Sequence, residues 1–120
     1  MQRQQQLKTA QDYLDAADRE FENANALAAT ENLRAAMIHT LKTVAAKNGW
    51  DYDGDDLYPV AEKVAKMDEQ VGEILLSSYA AAEGYPEKVH YGYFVWEDGD
   101  SHRMLRVVRE FISEVQRLTE

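Results

Sequence analysis

Residues 30–49 read TENLRAAMIHTLKTVAAKNG, and this stretch decides the fold. Apolar or small side chains recur in it at steps of three and four residues, which is the spacing of one face of an α-helix. Thr30 can cap the amino-terminal end of that helix, and Gly49 can end it. The predicted buried face comprises Leu33, Ala36, Met37, Thr40, Leu41 and Val44.

The segments on either side have the same spacing, and the whole chain contains only two prolines. The further predicted helices are Gln5–Asn25, Leu57–Met67, Asp68–Glu83 and one that begins after Ser101. Asp55 or Asp56 can cap the second of these, and Gly84 with Pro86 must end the third. The predicted buried positions are Leu7, Ala10, Leu14, Ala17, Phe21 and Ala24, then Val71, Ile74, Leu75 and Tyr79, then Met104, Val108, Phe111, Ile112, Val115 and Leu118.

One stretch, Val89 to Trp96, is rich in residues that favour strands. It has no partner strand elsewhere in the chain, so we interpret it as an ordered connection or an extra helical turn. The sequence therefore predicts an all-α fold: a single-domain bundle of about five helices over residues 1–120, with residues 1–6 frayed.

Composition excludes several classes of protein. The chain has 22 acidic and 13 basic residues, a net charge of −9, which argues against binding to duplex DNA because it repels phosphate. It has no cysteine, which excludes disulfides and thiolate metal sites. The polar amino terminus and the lack of an apolar run of about 20 residues predict a cytoplasmic protein without a membrane segment.

An acidic turn precedes the third predicted helix and invites comparison with a calcium-binding loop. Four carboxylates fall at positions 1, 3, 5 and 12 of that template: Asp51, Asp53, Asp55 and Glu62. However, Asp56 stands where the template requires glycine, and Pro59 interrupts its second half. We therefore predict an acidic helix cap, no metal site and no cofactor.

The three histidines, His39, His90 and His102, lack the short spacing of a transition-metal site. Arg34 and His39 match the pattern Arg-x4-His, but five residues along one helix rotate two side chains by about 140°. We interpret that match as accidental and predict that His39 packs at the surface or between helices. The chain also has no glycine-rich phosphate loop and no serine nucleophile motif.

Residues 87–97, EKVHYGYFVWE, place one histidine among four aromatic side chains between two helices. Such a segment can dock on the core, form a protein interface or stack on bases. The last helix adds basic residues, although Glu110 and Glu114 among them favour a salt-bridged solvent face. The candidate binding residues are His90, Tyr91, Tyr93, Trp96, His102, Arg103 and Arg106.

The pattern of residues 30–50, with small residues, Leu41-Lys42 and a closing Gly49, resembles the second helix of HEPN (higher eukaryotes and prokaryotes nucleotide-binding) domains. The resemblance covers roughly residues 7–118 and is strongest to the archaeal paralogous-repeat (PaREP-like) branch. Residues 89–94, VHYGYF, are similar to the segment that precedes the last helix in that branch. The resemblance implies a helical bundle that pairs as a homodimer near this segment.

Active HEPN ribonucleases have an arginine four to six residues before a histidine at the start of the last helix. By position that histidine is His90, the candidate catalytic residue, and the arginine positions hold Gly84, Tyr85 and Pro86. Lys88 is a poor substitute because an ammonium lacks the guanidinium fork that positions phosphate.

The resemblance thus implies a catalytically silent module that binds a nucleotide, RNA or a partner protein in a toxin–antitoxin or defence system. One alternative is a metal-independent endoribonuclease that uses His90 with arginines of the last helix, such as Arg103 or Arg106. Another is a purely structural protein-interaction domain.

Overall fold

The structure is a computed structural model, which describes residues 9–92, 97 and 99–120. In these residues the α-helices are α1 (Ala10–Glu22), α2 (Ala26–Asn48), α3 (Tyr58–Ala65), α4 (Glu69–Glu83), α5 (Tyr85–Tyr91) and α6 (Asp100–Leu118). The β pairing found there is one isolated bridge, between Asp53 and Asp56. The predicted all-α bundle is confirmed. The short helix α5 overlaps the start of the segment Val89 to Trp96, for which an ordered connection or an extra helical turn was predicted, and it begins four residues before that segment.

Some predictions fall outside the described residues. These are the burial of Leu7, the fraying of residues 1–6, and any role of Tyr93, Phe94 and Trp96.

The central element is α2, which packs against the five other helices. All of the residues predicted for its buried face are buried, and Ala29, Thr30, Ile38 and Ala45 are buried with them. Apolar residues of all the other helices except the short α5 complete one continuous core around it, and Tyr85 of α5 packs against that core. Residues 30–48 therefore form the greater part of the helix at the centre of the bundle.

The predicted cap of α2 at Thr30 is wrong, because the helix begins one turn earlier. Asn25 is the cap, and its side-chain oxygen accepts a hydrogen bond of 3.1 Å from the amide of Ala28. Thr30 instead lies inside the helix, where its hydroxyl donates to the carbonyl of Ala26 at 2.9 Å. At the other end Gly49 adopts the left-handed conformation (φ 68°) and ends the helix as predicted.

The helix α1 is shorter than predicted at both ends: Thr9 is extended and caps a helix that begins at Ala10, and the helix ends at Glu22. It starts with reciprocal hydrogen bonds between Thr9 and Asp12, a capping box. Beyond the helix, Ala24 has a φ of 60° and is exposed, so its predicted burial is wrong. The tight turn that leads into α2 takes Ala24 away from the core.

The short α3 also starts without the side-chain cap that was predicted for it. Its N-cap position is Leu57, which is buried. Asp56 makes a contact of 3.4 Å with the amide of Tyr58, and Asp55 is turned toward α2. Pro59 fits the first turn of α3 because the amide of that position has no helical acceptor.

The helix α4 does not bury all the residues predicted for it. Leu75 and Tyr79 are buried, but Ile74 is 68% exposed. Gly72 lies so close to α3 that a β-carbon there would stand 2.4 Å from the carbonyl oxygen of Ala65. This approach fixes the rotation of α4, and because two residues turn a helix by about 200°, Ile74 faces away from α3.

The helix α6 runs antiparallel to α4, since Arg117 in its last turn lies 3.6 Å from Asp68, the cap of α4. Its buried face is Met104, Leu105, Val108, Phe111, Ile112 and Val115. Leu118 is partly buried at the edge of the same core. The Phe111 ring centre lies 5.8 Å from that of Tyr79. The predicted stripe of the last helix is thus confirmed.

Candidate functional site

The short helix α5 carries the candidate catalytic histidine. Pro86 lies in its first turn, and Gly92, in the left-handed conformation with φ 68°, ends it. The helix packs on α2 and α4, and the Tyr85 ring at its start is partly buried against the core. Pro86 therefore ends α4, as predicted, and also begins a new helix.

His90 and Tyr91 are exposed at the carboxyl-terminal end of α5. Their ring centres are 4.6 Å apart in an edge-to-face arrangement. Within the described residues, the His90 imidazole has neither a hydrogen bond nor an ion pair. The two rings form a small exposed aromatic platform rather than a buried dyad.

The basic candidates lie in the first two turns of α6, where His102, Arg103 and Arg106 are all exposed. Arg103 forms an ion pair with Asp100. The pKa of the Asp100 carboxyl lies below its ordinary value because the amide of Glu97 donates a hydrogen bond to it, and Arg103 adds to this effect. The Asp100 carboxylate therefore neutralises Arg103, whereas Arg106 has no ion pair in the described residues.

The two helices approach each other where both begin. Burial raises the pKa of the Tyr85 phenol, and the nearby positive charge of Arg103 opposes part of that rise. His90 lies five residues further along α5, and no hydrogen bond joins it to Arg103 or Arg106. The charge of Arg103 thus acts on the beginning of α5, at Tyr85.

Other residues stand four to six positions before His90 and before His102, where active HEPN ribonucleases have an arginine. Tyr85, five residues before His90, is a partly buried phenol without charge near pH 7, and burial raises its pKa further above the ordinary value. The histidine that stands at the start of the last helix is His102, and the residues four to six before it are Asp98, Glu97 and Trp96. Neither histidine is preceded by an arginine at that spacing.

Sequence reasoning missed a cleft of about 270 Å³ beside α2, which Arg34, His39 and Lys42 line together. Arg34 and His39 were predicted to point apart along the helix, yet both side chains line this cleft. The Arg34 guanidinium lies 3.2 Å from Glu83, and the His39 ring centre lies 6.1 Å from that of Tyr13. The position of His39 agrees with the predicted packing between helices.

Carboxylates from other elements neutralise the cations of this cleft. The Lys42 ammonium lies 2.9 Å from Asp55, which raises the pKa of Lys42 through a hydrogen bond and lowers that of Asp55. Glu83 pairs with Arg34 and also accepts a hydrogen bond of 3.2 Å from the Tyr79 hydroxyl. These pairs join residues far apart in sequence, so no local spacing could have revealed them.

The acidic turn before α3 is closed by an interaction within its own backbone. Gly54 adopts φ 59°, the Asp53–Asp56 bridge closes the turn, and Asp55 is drawn to Lys42. Among the residues that the structure describes, no three His, Asp or Glu side chains are grouped to hold a metal ion.

In the same part of the chain, no helix combines the length and the apolar character needed to span a bilayer.

Comparison with known proteins assigns the chain to a family. No curated protein and no solved structure matches the chain. A family model described as the HEPN domain matches residues 4–118, which is almost the whole chain. The chain belongs to the HEPN domain family.

Proposed function

We propose that this HEPN domain is catalytically silent and binds single-stranded RNA or a nucleotide without cutting it. The observation that carries the proposal is Tyr85, a neutral and partly buried ring at the central position where an active site needs an arginine. Family membership supports a role connected with nucleotides or RNA.

Cleavage of RNA requires a proton acceptor and a fixed cation at the phosphorus. Histidine is the side chain that most often acts as the proton acceptor in such reactions, and His90 is the candidate for that role. Arg103 is paired with Asp100, and neither Arg103 nor Arg106 is hydrogen-bonded to His90 in the described residues, so neither arginine is fixed beside the candidate proton acceptor. Loss of a comparable stabilising group costs about 10²–10³ in rate, so a site without it is expected to bind rather than cut.

The same residues can contribute to binding. The exposed rings of His90 and Tyr91 offer a face on which a base can stack. Arg106 and His102 are exposed and have no ion pair in the described residues, so they remain available to phosphate. The net charge of −9 opposes this binding, so we expect modest affinity that weakens further with salt.

The remaining parts of the proposal concern context. A homodimer, a cytoplasmic location, and a setting in a toxin–antitoxin or defence system follow from the family resemblance and the composition. The same resemblance supports assignment to the archaeal paralogous-repeat branch.

Binding is tested with a labelled single-stranded RNA of mixed sequence, followed by fluorescence anisotropy at several salt concentrations. Tyr91→Ala should weaken binding by about 1–3 kcal/mol, the usual contribution of one stacked base. Arg106→Gln should lower the salt slope by about 0.7, because one phosphate contact to a single strand is lost. Arg109→Gln removes an exposed arginine outside the candidate set, so it serves as the matched control.

The same RNA is incubated with wild type and with His90→Ala to test for cleavage. Intact RNA in both samples is the expected result. Cleavage by wild type that disappears in His90→Ala would establish the ribonuclease alternative. If the folded protein neither binds nor cuts the RNA, the result would favour the purely structural interaction domain.

A further inference from the structure

The first turn of α6 holds a carboxylate whose two oxygen atoms both have partners. The Glu97 amide donates a hydrogen bond of 2.7 Å to Oδ2 of Asp100, and the Asp100 amide donates one of 3.1 Å to the Glu97 carbonyl. The second oxygen, Oδ1, forms an ion pair with the guanidinium of Arg103, one helical turn further along. The Asp100 side chain is only 13% exposed. The backbone therefore holds this carboxylate in the place where it meets Arg103.

This pair differs from an ordinary ion pair on a protein surface. Such pairs usually contribute little, because two mobile side chains lose their freedom when they form. In the Asp100–Arg103 pair the carboxylate is already fixed, so only the Arg103 side chain, which is 54% exposed, has to be ordered. We therefore expect Asp100 to compete effectively for Arg103 against other anions.

The Asp100–Arg103 pair lies within the surface proposed to bind RNA. Arg103 follows His102 and stands one turn before Arg106, and all three side chains are exposed. A guanidinium recognises carboxylate and phosphate through the same planar fork of N–H donors. The carboxylate of Asp100 thus takes a place on Arg103 that an RNA phosphate would otherwise take.

We propose that Asp100 is an autoinhibitory residue, whose carboxylate occupies Arg103 and limits the affinity of this surface for the phosphates of RNA. The inference rests on the proposed RNA binding and specifies how that surface is held back. An incoming phosphate has to displace Asp100 from Arg103 and also approaches a carboxylate of its own sign. Removal of the charge at Asp100 should therefore strengthen binding.

A purely structural role of Asp100 predicts a different result. A carboxylate in the first turn of a helix is stabilising through the helix dipole, and Asp100 also holds the turn at Glu97. If these were its only roles, Asp100→Asn would leave RNA affinity unchanged or lower it through lost stability. Asparagine keeps a side-chain oxygen that can accept the hydrogen bond from the Glu97 amide. The sign of the change in affinity therefore separates the two roles.

The test measures fluorescence anisotropy of the labelled single-stranded RNA of mixed sequence at several salt concentrations. Asp100→Asn should raise the affinity by about 3- to 10-fold at about 0.1 M salt and steepen the salt slope by about 0.7, because one phosphate contact is added. The double variant Asp100→Asn with Arg103→Gln should return both quantities to the wild-type values, since the gain requires the guanidinium.

Glu114→Gln is the matched control. Glu114 pairs with Arg117 over the same spacing of three residues, near the other end of α6 and about 20 Å from Arg103 along the helix. This variant changes the net charge by the same single unit and should leave RNA affinity unchanged. Circular dichroism checks the folding of each variant. Asp100→Ser, whose hydroxyl can also accept a hydrogen bond, takes the place of Asp100→Asn if that variant does not fold.

The outcomes separate this inference from the proposed RNA binding. A wild type that binds RNA beside an Asp100→Asn variant that binds no more tightly overturns the autoinhibitory role and leaves RNA binding standing. An equal gain in Glu114→Gln, or a gain that persists in the double variant, also overturns that role, because Arg103 is then not its source. If neither folded wild type nor folded Asp100→Asn binds the RNA, both proposals are wrong.

Discussion

The neighbouring helices α4 and α6 lie side by side in opposite directions, yet only α6 buries the residues that its sequence pattern predicts. Charged residues fill the other face of α6, so the spacing allows only one orientation of that helix. In α4, apolar or small residues occupy nearly the whole circumference, and the spacing alone allows several orientations. The close approach of Gly72 to α3 selects one of them. A clear stripe therefore predicts a buried face, whereas a helix with apolar residues all round needs a tertiary contact to define it.

The largest expected effect tests the buried face of α6. Phe111 is 3% exposed and packs against Tyr79, so Phe111→Ala should lower the free energy of unfolding by about 3–5 kcal/mol. Urea denaturation followed by circular dichroism measures the loss. Phe111→Leu keeps much of the volume and should lose less. A loss below about 1 kcal/mol for the alanine variant would mean that α6 does not bury this side chain. The statement that α6, unlike α4, buries its predicted residues would then be wrong.

A smaller effect tests what orients α4. A methyl group at Gly72 would meet the carbonyl oxygen of Ala65 at 2.4 Å, and a backbone atom cannot swing aside as a side chain can. Gly72→Ala should therefore lower the free energy of unfolding by about 1–3 kcal/mol, despite the better helix propensity of alanine.

Gly84→Ala is the matched control for this substitution. A β-carbon at Gly84 has its nearest neighbour at 3.7 Å, and the backbone there has negative φ. This variant should be neutral or more stable by about 0.4–1 kcal/mol. Equal stability changes for the two alanine variants would show that the approach of α4 to α3 does not fix the rotation of α4.

The fold was largely predictable because its decisive signals are local. The spacing within residues 30–49 and Gly49 at their end are properties of one segment, and the structure confirms both. The start of α2 was missed because Asn25 caps helices as well as Thr30 does, and alanines after it extend the helix. The sequence contains both candidates, and spacing does not choose between them.

The candidate site was less predictable, for two different physical reasons. An extra helical turn was one of two predictions for the segment after Val89, but the start of α5 at Tyr85 was missed because Pro86 was interpreted only as the end of α4, although proline also favours the first turn of a helix. The pairing of Arg103 with Asp100 is local, three residues along α6, and could have been inferred from spacing. By contrast, the pairing of Arg34 with Glu83 depends on how α2 meets α4, which no pattern within one segment reveals.

The smallest expected effect concerns Ile74, which lines a cleft between α4 and α6 together with Phe111. If α4 is oriented as described, Ile74 contributes little to the folding of one chain, and Ile74→Ala should change the free energy of unfolding by no more than about 0.5 kcal/mol. The measurement must be made at a concentration where the chain is monomeric, because association adds apparent stability to the folded state. A loss of about 2 kcal/mol or more under those conditions would mean that Ile74 is buried within the single chain. In that case both helices would bury their predicted stripes, and the contrast between α4 and α6 would not hold.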